Sequence, residues 1–227
     1  MPKKNVKNII DPTPFDMIDI KKKDQKDKPQ KRSKGFELRR QLFHILFGIV
    51  LVVLIEVGVL NSIGISILII IGFIISLRAR KAYVPIISWF LKRFERKENM
   101  RGLPGKGVLF YLVGALIVLL IFPKDIALAS IMVLALGDAV SHLWGSHFGR
   151  IRNPFADKKF IEGTLSGFAV GFLGALIYVG PIEAAVASLA AMVAEAIEVT
   201  IGTEAVDDNL VVPFIAALAI WLVRIAI

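Results

Sequence analysis

Residues 132–168 read MVLALGDAVSHLWGSHFGRIRNPFADKKFIEGTLSGF, and the fold turns on how this stretch divides. An apolar helix arrives carrying an acid, Asp138, near its end, and leaves through glycines and histidines. A basic loop follows with Arg150, Arg152, Lys158 and Lys159, and a second apolar run begins at Glu162-Gly163-Thr164. Two apolar runs hinged on a charged loop are the pattern of two membrane crossings. An ionised carboxylate inside a crossing costs at least about 2.5 kcal/mol unless it is paired, wetted or metal-bound. Asp138 therefore marks a site.

Working outward, the chain of 227 residues is 56% hydrophobic with a mean hydropathy of +0.68, the composition of an integral membrane protein built as one bundle. Apolar runs predict spans near 42–60, 62–78, 107–122, 125–143, 163–180, 182–199 and 210–227. The expected fold is all-α, with about seven transmembrane helices and one amphipathic helix lying in the interface. That helix falls within 83–107, where Ile86, Trp89, Phe90 and Phe94 oppose Lys92, Arg93, Arg96 and Lys97. Pro85 suits its first turn, and Gly102, Pro104 and Gly105 break the chain before the next span. Residues 1–35 are lysine-rich and proline-dotted, read as a disordered basic tail too polar for a signal peptide; the membrane domain is 36–227. The absence of cysteine excludes disulfides, thiolate metal sites and thiol nucleophiles.

The net charge of +9 is a topology signal rather than a nucleic-acid footprint. Of the 28 lysines and arginines, 26 lie in 1–40, 78–106 and 144–162; Lys124 and Arg224 are the others. Alternating spans put all three basic segments on one side, which the positive-inside rule makes cytoplasmic. The N-terminus is then inside and the C-terminus outside, with the loop 200–209 also inside. Glu56 and Glu183 fall on the other side and read as structural.

Four polar clusters share the cytoplasmic face. At the mouth of the first span, Arg39 and Arg40 offer guanidinium forks for phosphate oxygens, and His44 is one turn beyond Arg40; topology and helix packing would use the same residues. Ser141 and His142 follow Asp138 on one helical face, and Gly145 and Gly149 permit close backbone approach, to a phosphate or to a neighbouring helix. Glu162 at a helix start is either a cap or a magnesium ligand, beside Lys158, Lys159 and Gly163. Glu195 and Glu198 share a face, and Asp207, Asp208 and Asn209 precede the last span, as oxygen ligands for Mg2+ or as a capped, hydrated turn. Gly105-Lys106 is followed by Gly107 where a Walker A loop needs Ser or Thr, so that motif is absent.

Taken in order, ELRRQLFH (37–44), LGDAVSHLWGSHFGR (136–150), KKFIEGTLSGF (158–168) and VDDNLVVP (206–213) resemble the CTP-dependent lipid-alcohol kinase family. That family contains dolichol kinase, the CTP-using diacylglycerol kinases and the phytol kinases, and is more distantly similar to phosphatidate cytidylyltransferases. The resemblance implies that Asp138, Gly145 and Gly149 belong to a CTP site, with Lys159 and Glu162 beside them. Arg39, Arg40 and His44 match the basic entry motif, and Asp208 and Asn209 the last one. Where family members often have lysine-serine before Glu-Gly, this chain has Lys159-Phe160-Ile161, so both Lys158 and Lys159 are carried forward.

The implied activity is transfer of the CTP γ-phosphoryl group to a long-chain lipid alcohol, dolichol or another polyprenol first, at the cytoplasmic face of the bilayer. Mg2+ would sit among Asp138, Glu162, Asp207 and Asp208, and Asp138 or Glu198 would take the alcohol proton. Two alternatives are a cytidylyltransferase making a CDP-lipid and a small transporter; the one-sided placement of charge speaks against the latter.

Overall fold

The computed structural model describes residues 34–81, 85–95, 99, 102–154, 156–197, 200–201 and 204–226. Eight helices run through them: α1 (Lys34–Glu56), α2 (Ser62–Lys81), α3 (Pro85–Phe94), α4 (Lys106–Ile121), α5 (Lys124–Phe148), α6 (Ile161–Ala175), α7 (Pro181–Ile197) and α8 (Asp208–Ala226). Among the described residues, α1, α2, α5 and α8 are long and apolar enough to cross a membrane, and α4 and α6 are shorter apolar helices. Of the predicted tail, residues 1–33 lie outside the described residues, and Lys34 and Gly35 already belong to α1.

Two features depart from a purely helical reading. A β-ribbon pairs β1 (Arg152–Asn153) with β2 (Ala156–Phe160), and a second pairs β3 (Thr200–Ile201) with β4 (Glu204–Ala205). Such short strands carry no hydrophobic alternation, so periodicity does not announce them. The first helix also starts at Lys34, about two turns before its apolar run. Glu37 accepts from Arg40 Nη2 at 2.6 Å and from Gln41 Nε2 at 3.0 Å, so i,i+3 and i,i+4 pairs extend the helix through polar sequence.

The middle of the bundle is α5. Its residues from Ile126 to Ala135 are all buried, enclosed by α1, α4, α6, α7 and α8. From Val133 to Asp138 it winds as a π-helix, ending on Asp138. The wider turn inserts extra backbone into the helix, and such bulges commonly sit at functional positions.

Glycines set the spacing of α6 against α5. A methyl group on Gly163 would lie 2.6 Å from the Ser141 carbonyl oxygen and 3.1 Å from Gly145 Cα. One on Gly167 would meet the Gly137 carbonyl at 2.7 Å and Met192 Sδ at 2.6 Å. Small residues every fourth position thus bring two backbones into contact, as in membrane helix pairs. Between α8 and α4, Pro213 has no N–H for the Asn209 carbonyl one turn back, and that freed oxygen lies directly over Gly114.

Outward faces remain apolar: Leu46 and Val53 on α1, Ile70 and Ile74 on α2, Leu173 and Ile177 around the end of α6, and Leu222 on α8 are more than half or nearly half exposed. In water such a girdle would be an association surface; against lipid it needs no cover. Helix α3 packs Phe90 and Phe94 onto Phe43 of α1, with ring centroids 5.0 and 5.2 Å apart, and leaves Trp89 and Arg93 outside.

Candidate functional site

The residues that cost most to bury meet at one place. Asp138, His142, Glu195 and Asp208 each offer a ligand atom, and these atoms all lie within 4.8 Å of one another. Asp138 comes from the π segment of α5, His142 from the next turn, Glu195 from the last turn of α7 and Asp208 from the first residue of α8. Their one-turn spacing puts His142 above Asp138, with Nε2 3.4 Å from Asp138 Oδ1. The same nitrogen lies 3.9 Å from Glu195 Oε1 and 4.0 Å from Asp208 Oδ2.

Lys159 reaches into this group from β2. Its ammonium stands 2.9 Å from Glu195 Oε1 and 3.6 Å from Asp208 Oδ2, and it donates to the Glu195 carbonyl oxygen. Burial disfavours the charge on Lys159, but Glu195 and Asp208 outweigh it and hold the amine above its ordinary range. Nearby, Asn153 of β1 donates to the Ala196 carbonyl at 2.8 Å. The basic loop and the end of α7 therefore share one end of the bundle.

Three carboxylates facing one contacting ammonium leave excess negative charge in a dry place. Asp138 Oδ1 and Glu195 Oε1 are buried and held only by ion-pair contacts, from His142 Nε2 at 3.4 Å and Lys159 Nζ at 2.9 Å. Buried carboxylate oxygens gathered in this way fit a hard divalent cation, with phosphate oxygens or water completing its shell.

His44 borders the group from α1. Its Nε2 is 3.8 Å from Asp138 Oδ2 and 3.3 Å from the carbonyl oxygen of Leu134, within the π-helical segment. Behind it, Tyr111 of α4 packs edge-on at 4.8 Å between ring centroids, its buried hydroxyl without a hydrogen bond.

Of the residues singled out in the sequence, Asp138, Lys159 and Asp208 are brought together, with His44 adjacent. Arg40 is part-buried and paired with Glu37, whereas Arg39 is exposed and bonds the Gly35 carbonyl. Glu162 stands apart: its exposed carboxylate accepts from the backbone N–H groups of Arg150 at 3.1 Å and Ile151 at 3.0 Å, closing the loop. Asp207 accepts from the Asn209 side chain at 2.7 Å and lies 3.5 Å from Lys106. Asn209 itself buries an Oδ1 with no partner. Gly145 and Gly163 face each other across α5 and α6, and Gly149 packs against Phe160. Glu198 and the Lys158 side chain lie outside the described residues. Two further members of the group, His142 and Glu195, were marked in the sequence by helical spacing, His142 one turn beyond Asp138 and Glu195 on one face with Glu198.

Comparison with known proteins gives the same direction. The chain is 31% identical over 134 residues to CTP-dependent diacylglycerol kinase 1 of Schizosaccharomyces pombe, a match covering 52% of this chain and 60% of that one. It is 33% identical over 145 residues to a probable chloroplastic phytol kinase of Triticum aestivum, covering 56% and 46% respectively. An uncharacterized protein of Methanocaldococcus jannaschii is 28% identical over 188 residues, 81% of this chain and 92% of its own length. The chain thus spans little more than half, or less, of the named kinases. No protein-family model and no solved structure matches it.

Proposed function

We propose, from the chain's kinship with the CTP-dependent lipid kinases, that it transfers the γ-phosphoryl group of CTP to the hydroxyl of a membrane lipid alcohol. The observation that carries this reading is the buried meeting of Asp138, His142, Glu195 and Asp208 with Lys159 inside an apolar bundle. Phosphoryl transfer asks the protein for positioning and charge neutralisation more than for covalent chemistry, and a buried group of charges held by apolar helices suits both.

The roles follow from the chemistry of each side chain. Asp138, Glu195 and Asp208, with His142, would hold Mg2+, which when bound neutralises and orients the terminal phosphates of CTP. Lys159 neutralises phosphate oxygens from the loop side. As the alcohol oxygen bonds to the γ-phosphorus and the β–γ bridging bond breaks, Asp138 accepts the hydroxyl proton and CDP leaves. Glu162 would shape the loop that admits nucleotide, with Arg39, Arg40 and Lys158 contributing positive field at its mouth.

The same reading places seven helices across the bilayer, with α3 along its surface and the acid group opening toward the cytoplasm, as the distribution of basic residues requires. The acceptor is taken to be an isoprenoid-type alcohol, dolichol or another polyprenol. Purified protein offered CTP with dolichol, geranylgeraniol, phytol or diacylglycerol should release CDP and phosphorylate at least one polyprenol. Phosphorylation of diacylglycerol alone would move the acceptor class, and formation of a CDP-lipid with pyrophosphate would replace the kinase reading by cytidylyl transfer.

A further inference from the structure

A cavity of about 400 Å3 lies between α1, α2, α3 and α4, well away from the acid group, and within the range of small-molecule sites. Its walls are apolar, with Ser76 as the single polar side chain among them. Lengthwise it runs from Leu54 to Phe47 along α1, about 10 Å of helix. Its outer rim includes Val50, Leu68 and Ile71, each close to half exposed on the girdle that faces lipid. Although consecutive, α1 and α2 touch each other little, α2 resting on α4 instead, so the rim opens sideways between them.

At its inner end the cavity adjoins a narrow cleft of about 50 Å3, and the two share Phe47, Phe90, Leu91, Gly105 and Val108 as wall. Gly105 holds φ +81°, a backbone that favours glycine, at the turn forming this junction. The cleft's far wall carries Arg40, His44 and Tyr111. His44 is in turn 3.8 Å from Asp138. Cavity and cleft thus line up as an apolar passage from a rim facing lipid to polar groups beside the candidate site.

We infer that this passage holds the hydrocarbon chain of the acceptor alcohol, its hydroxyl delivered past Arg40 and Tyr111 to His44 and Asp138. The inference rests on the proposed kinase reading and adds where the acceptor lies and which residues select its length. A long chain fills the cavity and gains apolar contact along α1, α2 and α4; a short one leaves it empty and loses that contact. His44 is a positioning residue here, presenting the alcohol oxygen to the carboxylate.

The test is photolabelling of the purified full chain in lipid nanodiscs, without CTP, using a long-chain alcohol bearing a mid-chain diazirine. Adducts are expected on Leu54, Leu68 and Ile75, and roughly tenfold fewer from the same chain lacking its hydroxyl. Ile71→Trp, at the exposed rim, should cut labelling to about a tenth and lower the kcat/KM ratio of long over short alcohols by about the same factor. Leu173→Trp, on the outer face of α6, should change neither. Equal labelling by the hydroxyl-free probe, or adducts spread over Leu173 and Ile177, would mean ordinary bilayer lipid and overturn the inference. Cavity labelling by the alcohol in a protein that never phosphorylates one would count against the kinase reading alone, since the labelling needs no nucleotide.

Discussion

Lys159 Nζ lies 2.9 Å from Glu195 Oε1, tying the ribbon that follows α5 to the last turn of α7. The contact is nearly dry: the Lys159 side chain is 10% exposed and that of Glu195 1%. Removing one partner of such a pair leaves the other charged and unpaired, a loss of about 3–5 kcal/mol. Lys159→Met should therefore lower the thermal unfolding temperature in detergent, and adding Glu195→Gln should recover much of the loss. Equal, additive losses would mean the two side chains are not coupled.

The same pair sets a pH dependence. Lys159 is held above its ordinary value of 10.5, so its contribution to stability is complete below that pH and is lost as pH rises through the folded-state value. The stability difference between wild type and Lys159→Met should be constant near neutrality and shrink only on the alkaline side of 10.5. Shrinkage between pH 6 and 8 would assign the effect to another group.

Asp138→Asn preserves shape and removes the charge at the centre of the group. Turnover should fall at least about a hundredfold while the protein stays monodisperse and folded. Near-normal activity in this variant would remove Asp138 from the chemistry.

Where α5 and α6 touch, volume decides. Gly163→Ala puts a methyl group against the Ser141 carbonyl and Gly145 Cα, both backbone atoms unable to move aside, and should destabilise by about 1–3 kcal/mol. Gly180→Ala, whose nearest neighbour is the Glu183 side chain at 3.7 Å, is the matched control and should be mild. Unfolding curves for the two variants separate close packing from general glycine effects.

At the opposite end, Arg224 bridges Asp125 and Glu183 at 2.8 Å each. Arg224 and Asp125 are well exposed and Glu183 is partly so, and Arg224→Ala should cost no more than about 1 kcal/mol and leave turnover alone. A large loss of activity would indicate that this end also participates in function.

Much of the site was legible because charge is conspicuous in an apolar chain. Asp138, Lys159 and Asp208 stand out in the sequence, and the bundle brings them together. Each predicted apolar run also coincides with a helix, and four of these helices are long and apolar enough to cross a membrane, while side-chain pairs carry α1 back to Lys34. Glu195 was harder to single out, because Glu198 shares its helical face in the sequence; the structure sets Glu195 beside Asp138 and His142, and Glu198 lies outside the described residues. The glycines were legible both as phosphate contacts and as helix-packing positions, and Glu162 both as a cap and as a magnesium ligand, because each use calls for the same residue type. In the structure Gly163 packs against Gly145, and Glu162 accepts from two backbone N–H groups of the loop. Nothing in the sequence announces the π-helical turn at Val133–Asp138, since it arises from packing against neighbours rather than from local preference.

The most direct measurement follows the two ends of the nucleotide. Purified protein in nanodiscs is given a long-chain alcohol and CTP labelled at either the α- or the γ-phosphate. The γ label should appear in the lipid and the α label should remain in CDP, with both transfers lost in Asp138→Asn. Appearance of the α label in the lipid, or transfer of γ label that survives Asp138→Asn, would contradict a kinase centred on this buried acid group.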